Sequence, residues 1–203
     1  MIKKPQPMPR GPSDHNVRNQ IVEAASEHFS RYGYEKTTVS DLAKEVGFSK
    51  AYIYKFFDSK QAIGEVICTN CLNAILETID EAMQGAPTAS ERFRRMFKAA
   101  VEASVNLFFH DRKLHDIAAS AAREQWQSVS AYEDQIKEII LQIIREGREK
   151  GEFERKTAID EIVNSIYLVM RPYLNPLLLQ HNLSFTGEIP VVLSNLVLRS
   201  LAP

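Results

Sequence analysis

The chain has 203 residues, a formal charge of −1, and 44% hydrophobic, 25% charged and 9% aromatic residues, which is enough apolar material for a sizeable core and excludes a disordered tail. Eight glycines and nine prolines exclude collagen-like or low-complexity sequence, and no apolar run is expected to reach the roughly 18 residues of a membrane span. Charge is split unevenly: residues 1–60 carry +3 and the remainder −4, so the amino-terminal part is the better candidate for meeting phosphate.

Residues 1–12 read as a flexible basic arm, because Pro5 to Pro12 follows Lys3-Lys4 without apolar periodicity. That stretch also lacks the apolar core of an export signal, and two cysteines suit a reducing compartment, so the expected location is the cytoplasm, with no membrane partner. Val17, Ile21, Ala24, Ala25, His28, Phe29 and Tyr32 recur at helical spacing and predict a first helix closed by Gly33. Thr38-Val39-Ser40-Asp41 is a capping box that opens a short second helix with Val39, Leu42, Ala43 and Val46 on its apolar face. Gly47 turns the chain, and Ser49 caps a third helix expected to run to about Phe57. A long helix starts at Asp58-Ser59-Lys60, carries the stripe Ile63, Ile67, Cys71, Ile75 and Ile79, and ends before Gly85-Ala86-Pro87. Further helices are expected over residues 89–109, 112–126 and 130–150. A second capping box, Thr157-Ala158-Ile159-Asp160, predicts a helix toward Gln180 that Pro172 and Pro176 kink or shorten, and a last helix begins near Pro190. The pattern is all-α, with about nine helices and no strand alternation. It divides into a helix-turn-helix domain over residues 13–60 and a second helical domain over residues 61–203.

Two short helices joined by a glycine-containing turn make a helix-turn-helix. A helix that enters the major groove of double-stranded DNA needs a small residue at close approach, donors near its amino end, and hydroxyls or cations for phosphate. Lys50, Ala51, Tyr52, Tyr54 and Lys55 supply these on the third helix, while Ser49 caps it. Thr38 and Lys60 stand at the amino ends of helices two and four, where free amides and the helix dipole favour phosphate.

The stretch from Thr37 to Ala62, TTVSDLAKEVGFSKAYIYKFFDSKQA, resembles the DNA-binding segment of the tetracycline-repressor (TetR) family. The resemblance reaches back through Ala24-Ala25, Phe29 and Gly33-Tyr34, covering residues 15–65; beyond residue 85 only length and helical layout match. It implies phosphate anchoring by Thr38, Tyr54 and Lys60 and groove reading by Ser40, Lys50, Ala51 and Tyr52. It also implies a homodimer on a palindromic operator, with two recognition helices spaced about 34 Å or a near multiple apart.

Ile166 to Met170 and Val191 to Leu198 are apolar nearly all round, so both segments are expected to be buried on every side; the resemblance implies that they pair with a twin subunit, the alternative being one deep core within a single chain. The resemblance further implies a small apolar or aromatic effector between the helices of the second domain. Phe97, Val101, Trp126, Tyr167, Met170 and Tyr173 are its expected wall, with Phe93, Phe108 and Tyr132 as further candidates. No cofactor and no metal site are expected, and no phosphate-cradling loop or catalytic motif points to an enzyme. The expected function is a ligand-responsive repressor released from its operator. Two alternatives stay open: a redox or metal switch through Cys68 and Cys71, and a helical interaction protein whose head no longer binds DNA.

Overall fold

A computed structural model describes residues 14–110 and 115–203; the arm at 1–12 and the expected helix start at 112 lie outside the described residues. Ten α-helices and no strand occur among the described residues. The head consists of α1 (Asp14–Tyr32), α2 (Val39–Val46) and α3 (Lys50–Ile53), closed by the first turns of α4 (Lys60–Met83). Val17, Ile21, Ala25 and Phe29 line one side of α1 and bury against Leu42, Ala43, Ile53, Phe57 and Ile63, which is the face the 3.6-residue spacing predicts.

The body packs α4 against α5 (Ala89–Val105) and α7 (Gln127–Glu149), with α8 (Ile159–Leu174) on α7 and α10 (Ile189–Ser200) on α5. Two shorter helices, α6 (His115–Glu124) and α9 (Pro176–Leu179), pack on each other. By length and composition α4 could cross a membrane, against the expectation from short apolar runs; its Ile63, Ile67, Leu72, Ile75 and Ile79 are instead buried in the protein core.

Three expectations change, and a fourth, the early end of the helix bearing Pro172, holds. Helix three ends at Ile53 rather than Phe57, and the chain continues in turns with Lys55 N–H donating to the Tyr52 carbonyl and Phe56 N–H to that of Ile53. The Arg18 guanidinium donates to the Phe56 carbonyl at 2.7 Å, so that group is satisfied without more helix. Residues 106–109 leave α-geometry, since Asn106–His110 is a π-helical turn continuing α5. The Thr157 box does not form: α8 is capped by Ala158 without a side-chain bond, and the Glu154 carboxylate takes the amides of Lys156 and Thr157 first. Finally, α8 runs through Pro172 and stops at Asn175, whose side chain caps α9 by accepting from the amide of Leu177 at 3.0 Å.

Two carboxylates tie the body together across long stretches of chain. Glu65 on α4 accepts the amides of Gln127 and Ser128 at the start of α7, both at 3.0 Å. Glu152 accepts those of Ala89 and Ser90 at the start of α5, also at 3.0 Å. Each satisfies helix-end donors and places a negative charge at a positive dipole end. Burial opposes the charge on Glu152, but the amides of Ala89 and Ser90 more than offset it and hold the carboxyl below its usual range.

Candidate nucleic-acid interface and effector cleft

The second helix of the head starts from a complete capping box. Thr38 Oγ1 accepts the Asp41 amide at 3.2 Å, and the Asp41 carboxylate accepts the Thr38 amide at 3.0 Å and hydroxyl at 2.6 Å. These bonds from Thr38, side chain first and backbone second, lower the Asp41 pKa. Gly47 ends α2 at φ 78°, a left-handed conformation that a β-carbon disfavours, and its amide returns to the carbonyls of Ala43 and Lys44. Ser49 then caps α3, accepting the Tyr52 amide at 3.1 Å.

This geometry leaves Lys50, Ala51, Tyr54 and Lys55 exposed. Tyr52 differs from the outward residue expected of it: it is half-buried, edge-on to Phe48 and Phe56 at centroid distances of 5.0 and 5.3 Å. The Lys55 ammonium lies 5.4 Å from its ring centroid, and that of Lys50 lies 5.8 Å from the Tyr54 ring centroid. Thr38 and Ser49 are exposed and Ser40 half-buried, so the predicted residues are brought to the helix-turn-helix and its flanks. Lys60 stands at the first position of α4, but its ammonium donates to the Tyr34 carbonyl at 2.9 Å and sits 4.2 Å from the Tyr34 ring. It ties the loop between α1 and α2 to the start of α4.

Head and body meet around the single tryptophan. Trp126 is buried at the start of α7, edge-on to Tyr34 at 5.3 Å, and its ring lies where a β-carbon on Gly64 would come within 2.7 Å. Its indole N–H donates to Glu124 at 2.9 Å, so the polar end of the ring is satisfied by the protein. Alongside, Arg123 on α6 donates to Glu35 of the head at 2.9 Å. Arg18, Gly64 and Glu65 went unremarked in the sequence, because nothing local to them signals a partner dozens of residues away.

The body holds a narrow cleft of about 20 Å³, walled by Phe108, Tyr132, Glu133, Tyr167, Leu174 and Pro176 among others, with Cys68 and Leu72 contributed by α4. Of the six expected wall residues only Tyr167 lines it, joined by the further candidates Phe108 and Tyr132. Phe97, Val101 and Met170 are fully buried in the core, and Tyr173 is half-buried with its ring 6.4 Å from that of Phe97. Burial pushes the Cys68 thiol up to about 11 and the Cys71 thiol to about 12, which keeps both protonated and weakly reactive.

The family model for bacterial regulatory proteins of the tetR family matches residues 21–66, and that for the tetracyclin repressor-like C-terminal domain matches residues 89–186. The chain belongs to the TetR family. The uncharacterised HTH-type transcriptional regulator YhgD of Bacillus subtilis is 34% identical over 82 residues, 40% of this chain and 43% of that protein. IcaR of Staphylococcus aureus, the HTH-type negative transcriptional regulator of the biofilm operon icaADBC, is 40% identical over 63 residues, 30% of this chain and 34% of its own. The chain thus spans less than half the length of these curated relatives. Among solved structures, the fatty acid degradation regulator FadR of Bacillus halodurans superposes with a TM-score of 0.67 at 19% identity, covering 94% of this chain and 97% of that one. The TetR-family regulator PfmR of Thermus thermophilus gives 0.60 at 25% identity, covering 92% and 97%. The TetR fold therefore extends through both matched segments.

Proposed function

We propose that two copies of this chain bind a palindromic operator as a repressor and leave it when a small effector enters the body. The carrying observation is the outer face of α3 and of the turn that follows it, where Lys50, Ala51, Tyr54 and Lys55 are exposed behind two side-chain caps. In this reading Ala51 allows close approach to the groove, Ser40, Lys50 and Tyr52 bear on base edges, and Thr38, Ser49, Tyr54 and Lys55 meet phosphate. Lys60 acts on the DNA by holding the loop at Tyr34.

Dimerisation is supported by the outer surfaces of α8 and α10. The all-round burial expected there is absent within one chain: Leu168 is 63% exposed, Val191 61% and Leu196 60%, with Val169 and Val192 beside them. A contiguous apolar surface of this kind marks a contact site. Release requires the effector to bind one arrangement of the two heads better than the other, a coupling of about 1–3 kcal/mol in typical systems. The path for it is material: the cleft wall includes Pro176 of α9, α9 packs on α6, and α6 holds the head through Arg123 and Glu35. Location in the cytoplasm follows from this role.

The test is fluorescence-anisotropy titration of the DNA flanking its own gene against an unrelated duplex at two salt concentrations. Tight binding to a palindrome with a steep salt slope is expected. Lys55→Ala should weaken all sequences alike and reduce the slope by about one unit, whereas Lys50→Ala should mainly erode the preference for the palindrome. The opposite pattern would reassign the contacts, and equal binding to both duplexes would remove the flanking DNA as operator.

A further inference from the structure

Resting on the effector reading above, the cleft also specifies the chemistry of its occupant. Tyr132 lines it from α7 and is buried, yet its hydroxyl has no hydrogen-bond partner. The buried Ser104 hydroxyl of α5 is a polar neighbour close enough to act on it, but the two do not meet in the geometry of a full hydrogen bond, and Ser104 has no other partner. One turn earlier on α7, the buried Ser128 hydroxyl has the Cys68 thiol, which also lines the cleft, as its neighbour. The Tyr132 and Ser104 hydroxyls are a standing cost, because both were removed from water with only each other's poorly aligned contact in exchange. A second, independent feature lies in the same wall: Phe108 enters it from the π-helical turn that interrupts regular geometry at the end of α5.

The wall offers nothing to an anion. Its one carboxylic or basic side chain is Glu133, so a carboxylate or phosphate in the cleft would lose its water and face another carboxylate. A cation is poorly served as well, since Glu133 already has the Arg171 guanidinium at 3.9 Å and the Tyr167 hydroxyl as a hydrogen-bonding neighbour. Lys137, the other nearby cation, is 3.9 Å from Asp134 and lies over the Tyr167 ring at 4.9 Å. What remains is apolar surface with an unused hydroxyl.

We propose that the effector is a neutral, largely apolar molecule whose single hydroxyl or carbonyl oxygen hydrogen-bonds the Tyr132 hydroxyl. At about 20 Å³ the cleft is contracted, so the molecule enters by displacing the wall. The π-turn bearing Phe108 and the break between α8 and α9 at Asn175 and Pro176 are the wall segments outside regular α-helix.

The experiment titrates the full-length protein with octanol, octanoate and octylammonium, one chain length with three head groups, following Trp126 fluorescence and calorimetric heat. Octanol is expected to bind about tenfold or more tighter than either ion, and Tyr132→Phe to weaken octanol about tenfold with little effect on the ions. Unliganded Tyr132→Phe should melt close to the wild-type temperature, since it deletes a buried hydroxyl whose only polar contact is the poorly aligned one to Ser104; this separates lost recognition from lost folding. Tighter binding of either ion, unchanged octanol binding by Tyr132→Phe, or no octanol binding would each overturn the proposal. Operator binding without any ligand, measured on the same preparation, tests the DNA reading separately: its loss would leave the octanol result readable, and its persistence beside a failed octanol titration would remove only the ligand class.

Discussion

Head and body close their helix ends by different means. In the head every side-chain cap is local: Thr38 reaches Asp41, Ser49 reaches Tyr52 and Ser59 reaches Ala62, each three residues along. In the body two helices are also capped by carboxylates 62 and 63 residues away, Glu65 for α7 and Glu152 for α5. A helix end closed by a local bond keeps its cap whatever its neighbours do. One held by distant bonds changes shape when its packing does, and this is where an effector has leverage. A regulator needs both: a rigid reader, and a body with two arrangements whose balance a ligand can tip.

The sharpest way to break this comparison is at the joint. Trp126 belongs to the body but packs on Tyr34 of the head and on Gly64 at the start of α4. Trp126→Ala should cost about 3–5 kcal/mol in urea unfolding followed by far-UV circular dichroism, the usual range for emptying a large buried aromatic site. The transition should also broaden or split as the head becomes independent of the body. A loss well under 1 kcal/mol would show that Trp126 does not join the two units.

The same division explains what could be read from the sequence. The head was legible almost to the residue, because its signals are local: a capping box, a glycine in a left-handed turn, a serine cap and an apolar stripe. Its one misjudged length, the end of α3, depends on Arg18, which arrives from 38 residues away to take the Phe56 carbonyl. In the body, helices were placed correctly from their stripes, but their ends and the cleft were not. Phe97, Val101 and Met170 have the same apolar character as Phe108 and Tyr167, and only three-dimensional packing decides which of them face a cavity. The exposed Leu168 and Val191 carry the related lesson that apolar sequence marks what is to be buried without saying in which chain.

A second test sharpens the comparison through pH. The Glu152 carboxyl is held below its usual range, so the folded protein binds its proton less readily than the unfolded chain does. Its stabilising effect is therefore complete above the unfolded pKa of about 4.3 and is lost as pH falls through the lower folded value. Glu152→Gln keeps the shape but removes the charge, and should cost about 1–2 kcal/mol at neutral pH. That gap to the wild type should close as the pH drops below about 4, as read by denaturant melts over a pH series. A gap independent of pH would mean that the side chain acts by packing rather than by its charge at the start of α5.

The smallest effect separates two boxes that look alike in sequence. Thr38-Val39-Ser40-Asp41 and Thr157-Ala158-Ile159-Asp160 both carry threonine and aspartate at the required spacing, yet only the first closes. The difference lies upstream of the second. Glu154 takes the Thr157 amide at 3.1 Å, and the Thr157 carbonyl accepts from Arg148 at 2.6 Å, so Thr157 is drawn into a loop closure and the cap position falls to Ala158. Thr38→Ala should therefore cost about 1 kcal/mol of stability, the ordinary worth of an amino-terminal cap. Thr157→Ala should stay within about 0.5 kcal/mol of wild type, since its hydroxyl caps nothing and both backbone bonds survive the change. Equal losses at the two sites would mean that the second box forms in solution, and with it that the body, like the head, fixes its helix ends locally.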